Sequence, residues 1–125
     1  MMIKSSIKGL TALILSFFLI ATANADPVKV GFVYIGPVGD HGWTYRHDIG
    51  RQQVEEALGD QVETSYIEGV QYGPQAEQVF REMAQTHDIV FGTSFGYMQP
   101  MLKVAKDFPD VKFEHATGYL QSDNL

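Results

Sequence analysis

The apolar positions along the chain fall into two alternating rhythms. Val28–Gly36 ("VKVGFVYIG") is a nearly continuous β-branched and aromatic run that stops at Gly-Pro. Strands buried in parallel sheets have this pattern. Beyond a glycine-rich turn, Trp43, His47, Gly50, Val54 and Ala57 recur at steps of three or four. They predict one face of a helix, which Gly59-Asp60 ends. "QVETSYIEG", residues 61–69, reads as a second strand. Gly73-Pro74 opens a second helix, with proline suited to the first turn. Its stripe is Ala76, Val79, Phe80, Met83 and Ala84. "HDIVFGTSFG", residues 87–96, is a third strand running into a glycine-bracketed loop. Met98, Met101, Leu102, Ala105 and Phe108 form a third helical stripe, which Pro109 stops. "VKFEHATGY", residues 111–119, is a fourth strand, and the closing "LQSDNL" carries no terminating signal.

The order βαβαβαβ with short connections predicts an α/β fold, a parallel sheet with flanking helices. No helix follows the fourth strand. A parallel sheet needs both faces covered, and long bare edges invite pairing with other chains. The pattern therefore reads as the front part of a larger unit.

The first 25 residues stand apart. Lys4 and Lys8 precede an apolar run, Leu10–Ile20, and "ANA" at 23–25 offers small residues for cleavage. The run is too short for a bilayer span, which takes roughly 20 residues. It predicts a secretory signal peptide over 1–25, cut before Asp26. Those two lysines are its only charges, so its loss takes the formal charge from −6 to −8. An acidic exported domain has no electrostatic reason to bind nucleic acid or an anionic membrane. The sequence has no cysteine. That excludes disulfides, thiol catalysis, cysteine metal sites and a lipidated cysteine at the cleavage point. The expectation is a soluble protein of the bacterial periplasm.

In open parallel sheets, ligands sit at the carboxyl ends of the strands. Three such ends are rich in glycine and aromatics: "IGPVGDHGWTYRH", "GVQYGPQ" and "GTSFGYMQP". Trp43 is either a core residue or a flat stacking surface for a planar ring. Asp40 is either a helix cap or a carboxylate for ligand hydroxyls or ring N–H groups. Thr44 and Tyr45 supply hydroxyls, and Ser94 and Phe95 border the third loop. Gly92 and Gly96 would let backbone amides approach a ligand. A metal site is disfavoured: His41 and His47 do not align on one helical turn, and H-E-x-x-H is absent. These two histidines read as incidental, while His87 and His115 have no evident partner. The glycines at 36, 39 and 42 match neither a dinucleotide fingerprint nor a P-loop. Gly92, Ser94 and Gly96 do match G-x-S-x-G, so a small exported serine esterase built on Ser94 stays as an alternative. His115 is the only histidine after that serine.

Taken together, "KVGFVYIGPVGDHGWTYRHDIGR", "DIVFGTSFGYM" and "FPDVKFEHATGY" resemble the basic membrane protein (BMP) family of substrate-binding proteins, related to the purine nucleoside receptor of spirochaetes. The resemblance covers essentially all of 26–125. It implies a class I periplasmic receptor of an ABC importer, in which two hinged α/β lobes trap the ligand. Residues 26–125 would then be an incomplete amino-terminal lobe. By the same resemblance, Trp43 stacks on a purine and Asp40 hydrogen-bonds it. Thr44 replaces the family's commoner amide, and Thr117 stands near the place of a strand-end aspartate. Ser94, Phe95 and Gly96 border the cleft. The implied function is binding of a purine nucleoside or base, a small planar solute, for an ABC permease, with no catalysis, cofactor or metal. A ligand-sensing domain of a surface regulator would use the same fold.

Overall fold

The computed structural model describes residues 25–125, so the proposed signal peptide lies outside the described residues except for Ala25. Four strands alternate with three helices: β1 (Val28–Val33), α1 (Trp43–Leu58), β2 (Val62–Ile67), α2 (Pro74–Ala84), β3 (Ile89–Gly92), α3 (Met98–Asp107) and β4 (Lys112–His115). All strand pairs are parallel, in the order β2-β1-β3-β4. The α/β architecture is as the periodicity predicts, with strands shorter than the apolar runs that contain them.

The chain leaves β1 toward β2 and later returns to place β3 on the other side of β1. Such a reversal opens a crevice between the loops that follow the two central strands. Here those are the loops after β1 and β3.

The two faces of the sheet are covered differently. On one face, Val33, Val90 and Phe113 pack against Ala76, Phe80 and Met83 of α2 and Met101, Val104 and Ala105 of α3. Gly92 lets these helices come close, because a Cβ there would collide with the Met101 sulfur and the Phe80 ring. On the other face, Val30, Phe32 and Tyr34 form a smaller cluster with Ile89 and Phe91.

α1 lies on that second face, and its attachment differs from the one its apolar stripe predicts. The buried residues of α1 are Thr44 and Asp48. Asp48 accepts hydrogen bonds from Arg51 Nε at 2.7 Å, Gln52 Nε2 at 2.7 Å and the Tyr34 hydroxyl at 3.3 Å. Arg51 reaches on to Thr64 of β2 at 2.8 Å and to Glu55 at 3.0 Å. Its guanidinium also lies 5.0 Å from the centre of the Tyr66 ring. Burial pushes the Asp48 carboxyl up, but the bonds from Arg51 and Gln52 outweigh it and hold the net value below the ordinary one. Burial and the Asp48 charge together push the Tyr34 phenol well up. The predicted stripe, His47, Gly50 and Val54, with Leu58 beyond, lines an open groove beside the helix.

The final segment has a structural task that its composition does not announce. The Asn124 side-chain amide donates to the carbonyls of Ala105, Phe108 and Val111 at 2.8–3.0 Å, tying the final segment to the end of α3 and the turn that follows it. The Asn124 carbonyl accepts the Phe113 N–H at 2.7 Å, which covers part of the β4 edge. Among the described residues, no helix is long and apolar enough to cross a membrane.

Candidate ligand-binding site

The loops after β1, β2, β3 and β4 meet at the carboxyl end of the sheet. Each carries an exposed aromatic: Trp43, Tyr72, Phe95 and Tyr119. Aromatic rings exposed at strand ends are able to stack on planar ligands.

Trp43 is the best-defined of them. The residue is 48% exposed, so the core alternative for it does not hold. The indole Nε1–H donates to the Thr93 carbonyl at 2.5 Å, tying the first loop to the third. Behind it, the His47 ring lies 4.6 Å away at 51°, and His47 Nδ1 is held at 2.8 Å by the Trp43 carbonyl. The indole is thus fixed along one edge and backed on one side. His47, read from sequence as incidental, is its support.

Asp40 closes a short 3₁₀ turn, Val38–Asp40. Its carboxylate accepts the N–H groups of Gly42 at 2.7 Å, Tyr45 at 3.0 Å and Thr44 at 3.2 Å. The carboxylate therefore caps the start of α1 from two residues before its cap position. The Gly42 bond, followed by that from Tyr45, lowers the carboxyl below its ordinary range. A carboxylate has about four acceptor positions, so one remains for a ligand, and the residue is exposed.

Thr44 is fully buried, and its hydroxyl accepts the Gly36 N–H at 3.2 Å. It shapes the loop, with its hydroxyl turned to the Gly36 main chain. Tyr45 is half-buried against the His41 ring, 5.3 Å away. The Val38 N–H donates to Glu68 at 2.6 Å, joining the first loop to the segment after β2.

In the third loop, Ser94 is buried and its hydroxyl shares a 2.7 Å bond with the Tyr72 hydroxyl. His115 Nε2 donates instead to the Ser94 main-chain carbonyl at 2.6 Å. Among the described residues no base addresses the serine hydroxyl, whose partner is the Tyr72 hydroxyl. Gly96 is needed for packing, because a Cβ there would fall 2.5 Å from the Tyr72 ring. Phe95 projects outward with its ring 6.3 Å from that of Tyr119. Thr117 is exposed just beyond β4 at φ 77°, a strained setting for a β-branched residue. Such strain is retained more often at binding sites than elsewhere.

Asp40, Trp43 and Phe95 are exposed on the segments after β1 and β3, and Thr117 is exposed beyond β4. Thr44 and Ser94 are buried, and Gly96 is partly buried. Tyr72, His47 and His115 were missed as parts of the assembly. For Tyr72 the signal was present, as an aromatic inside the glycine-bracketed loop after β2.

Comparison with known proteins follows the same lines. A family profile described as ABC transporter substrate-binding protein PnrA-like (Bmp) matches residues 27–125. A purine-binding protein of Brucella abortus is 53% identical over 116 residues, which cover 91% of this chain and 33% of that protein. A Haloferax volcanii protein assigned as the glucose-binding component of an ABC transporter is 45% identical over 104 residues, 82% of this chain and 26% of its own. The solved solute-binding protein of an ABC transporter system from Conexibacter woesei superposes with a TM-score of 0.63 at 29% identity, over 69% of this chain and 28% of that one. The chain therefore spans about a third or less of the length of the relatives it matches.

Proposed function

The chain belongs to the Bmp family of PnrA-like ABC transporter substrate-binding proteins, and from that premise we propose that it supplies one wall of a purine-binding cleft. The ligand is a purine nucleoside or base, taken up in the periplasm and passed to an ABC permease. The observation that carries this reading is Trp43, a half-exposed indole held by Thr93 and His47 at the carboxyl ends of the central strands. A plane fixed in advance loses little freedom when a flat ring stacks on it. Phe95 offers a second apolar surface, and the remaining acceptor position of Asp40 suits a ring N–H or a ribose hydroxyl. Thr117 borders the same end of the sheet. The purine-binding relative supports this assignment of ligand class.

Glucose is the second reading, favoured by the other curated relative; sugars also lay their C–H faces on indoles. Trp43 is the only tryptophan of the chain, so its fluorescence reports on this site alone. Titration with adenine, guanosine and glucose separates the readings. Saturable quenching by the purines, lost in Trp43→Phe emission controls and weakened by Asp40→Asn, is the expected result. In the full-length parent, calorimetry should show Trp43→Ala weakening binding by about 1 kcal/mol or more, the scale of lost ring stacking; the short chain, with one wall of the cleft, should bind more weakly. Saturation by glucose with no response to purines would reverse the assignment.

A further inference from the structure

We infer that Ser65 and His87 form a nucleophile–base pair, and that Ser65 is the point at which the chain takes an acyl group from a neutral activated ester. Ser65 Oγ lies 2.6 Å from His87 Nε2. The other ring nitrogen, Nδ1, lies 3.0 Å from the Met83 carbonyl and 2.9 Å from the Thr86 hydroxyl. A carbonyl only accepts, so Nδ1 carries the proton and Nε2 presents its lone pair. The Ser65 hydroxyl is then the donor to Nε2. A serine bonded to an imidazole that a third group orients is the arrangement that activates a hydroxyl nucleophile. The base absent at the Ser94 hydroxyl is present at Ser65.

The fold builds the pair from two strands and a helix end. Ser65 of β2 stands opposite Gly31 of β1 in the parallel register. A Cβ at Gly31 would fall 2.8 Å from the Met83 sulfur and 3.2 Å from the His87 ring. The glycine thus leaves the imidazole its seat. The Met83 carbonyl also accepts the N–H groups of Thr86 at 3.1 Å and His87 at 3.0 Å, where α2 ends. His87 therefore sits at the negative end of the α2 dipole, which favours a cation. The helix end holds the tautomer and stabilises the imidazolium, the two tasks of the aspartate in a catalytic triad.

Ser65 is exposed, and a hollow of about 330 Å³ opens beside it, lined by Ile67, Glu82, Met83 and Thr86. The Glu82 carboxylate repels anionic esters, which leaves neutral ones. β2 is an outer strand, so N–H groups on its free side are open to other acceptors. Such donors stabilise the oxygen that gains charge in acyl transfer. In the reaction, Ser65 Oγ bonds to the carbonyl carbon as its proton passes to His87 Nε2. The bond from that carbon to the alcohol oxygen breaks, and the alcohol leaves with the proton. Water, giving its proton to the same Nε2, then releases the acid and restores the serine. No residue of the pair or its hollow belongs to the candidate ligand site, so the inference stands apart from the purine reading.

The test treats the 125-residue chain with an alkyl fluorophosphonate, a neutral probe. Ser65 Oγ bonds to its phosphorus, fluoride leaves, and the serine proton passes to His87. Peptide mass spectrometry is expected to find the label on Ser65, and Ser65→Ala to remove it. His87→Gln keeps a polar side chain but no base; it is expected to slow labelling about a hundredfold, the scale of general-base assistance. Release of 4-nitrophenol from 4-nitrophenyl acetate should fall in the same two variants. Circular dichroism checks that each variant is folded. Should His87→Gln fail that check, the unsubstituted chain decides: unfolding it in urea should abolish the labelling, because a serine without its base is inert. A label that survives urea overturns the pair. So does a label on Ser94 or spread over several hydroxyls, or a loss under about tenfold in folded His87→Gln.

Discussion

The two faces of the sheet solve the same problem by different means. The α2/α3 face is sealed by apolar side chains: Phe80, Tyr97, Met101 and Val104 are fully buried there, with Phe80 and Tyr97 meeting edge to face at 5.2 Å. The α1 face is held by directional bonds among Asp48, Arg51, Tyr34 and Thr64, and its apolar floor lies beside an open groove. Stability should therefore be concentrated on one face, while the other is stable enough to stand and still available for further packing.

The sharpest way to break this contrast is Phe80→Ala. Truncating a fully buried aromatic costs about 3–5 kcal/mol, and urea denaturation should show a loss in that range. A loss under about 1 kcal/mol would mean that the sealed face is not the stable one. Asp48→Asn comes next. It removes the charge that pairs with Arg51 and should cost about 2 kcal/mol, the scale of a charged hydrogen bond.

The same residue makes the α1 face sensitive to acid. The Asp48 value is lowered in the folded protein, so its contribution is complete above the unfolded value of about 3.9 and is lost as pH falls through the folded one. Asp40 and Glu77 are lowered as well and act in the same sense. Denaturation at pH 7, 4 and 3 should show stability falling below about pH 4, with a shallower fall in Asp48→Asn. An identical fall would remove Asp48 from the account. The smallest effect is expected at Leu58, 42% exposed on the groove wall. Leu58→Lys should shift stability by less than about 0.5 kcal/mol.

The contrast also explains what the sequence made legible. α2 and α3 were readable because their stripes face the partner that buries them: Ala76, Phe80, Met83 and Ala84, then Met98, Met101 and Ala105, are buried as the period implies. In α1 the same rule gave the wrong contact face. Apolar periodicity marks the surface that needs covering, and here the covering is not the sheet. The residues that dock α1, Thr44, Asp48 and Arg51, are polar and leave no trace in an apolar period. Asn124 was missed for a related reason: one amide reaching back to Ala105, Phe108 and Val111 has no local pattern. At the site, Trp43 and Phe95 were visible as aromatics on strand-end loops. The buried positions of Thr44 and Ser94, and the supporting roles of His47 and His115, depend on contacts between loops distant in sequence.

The polar anchor of α1 has one more consequence. Hydrogen bonds from Asp48 and Arg51 define an azimuth: turning the helix by one residue, about 100°, would break them all. Greasy contacts would tolerate some rotation. Because the orientation is set by these bonds, the neighbouring apolar stripe can change without altering where the helix points. Changes on the groove side of α1 can then alter the packing there while the Trp43 end of the helix keeps its aim.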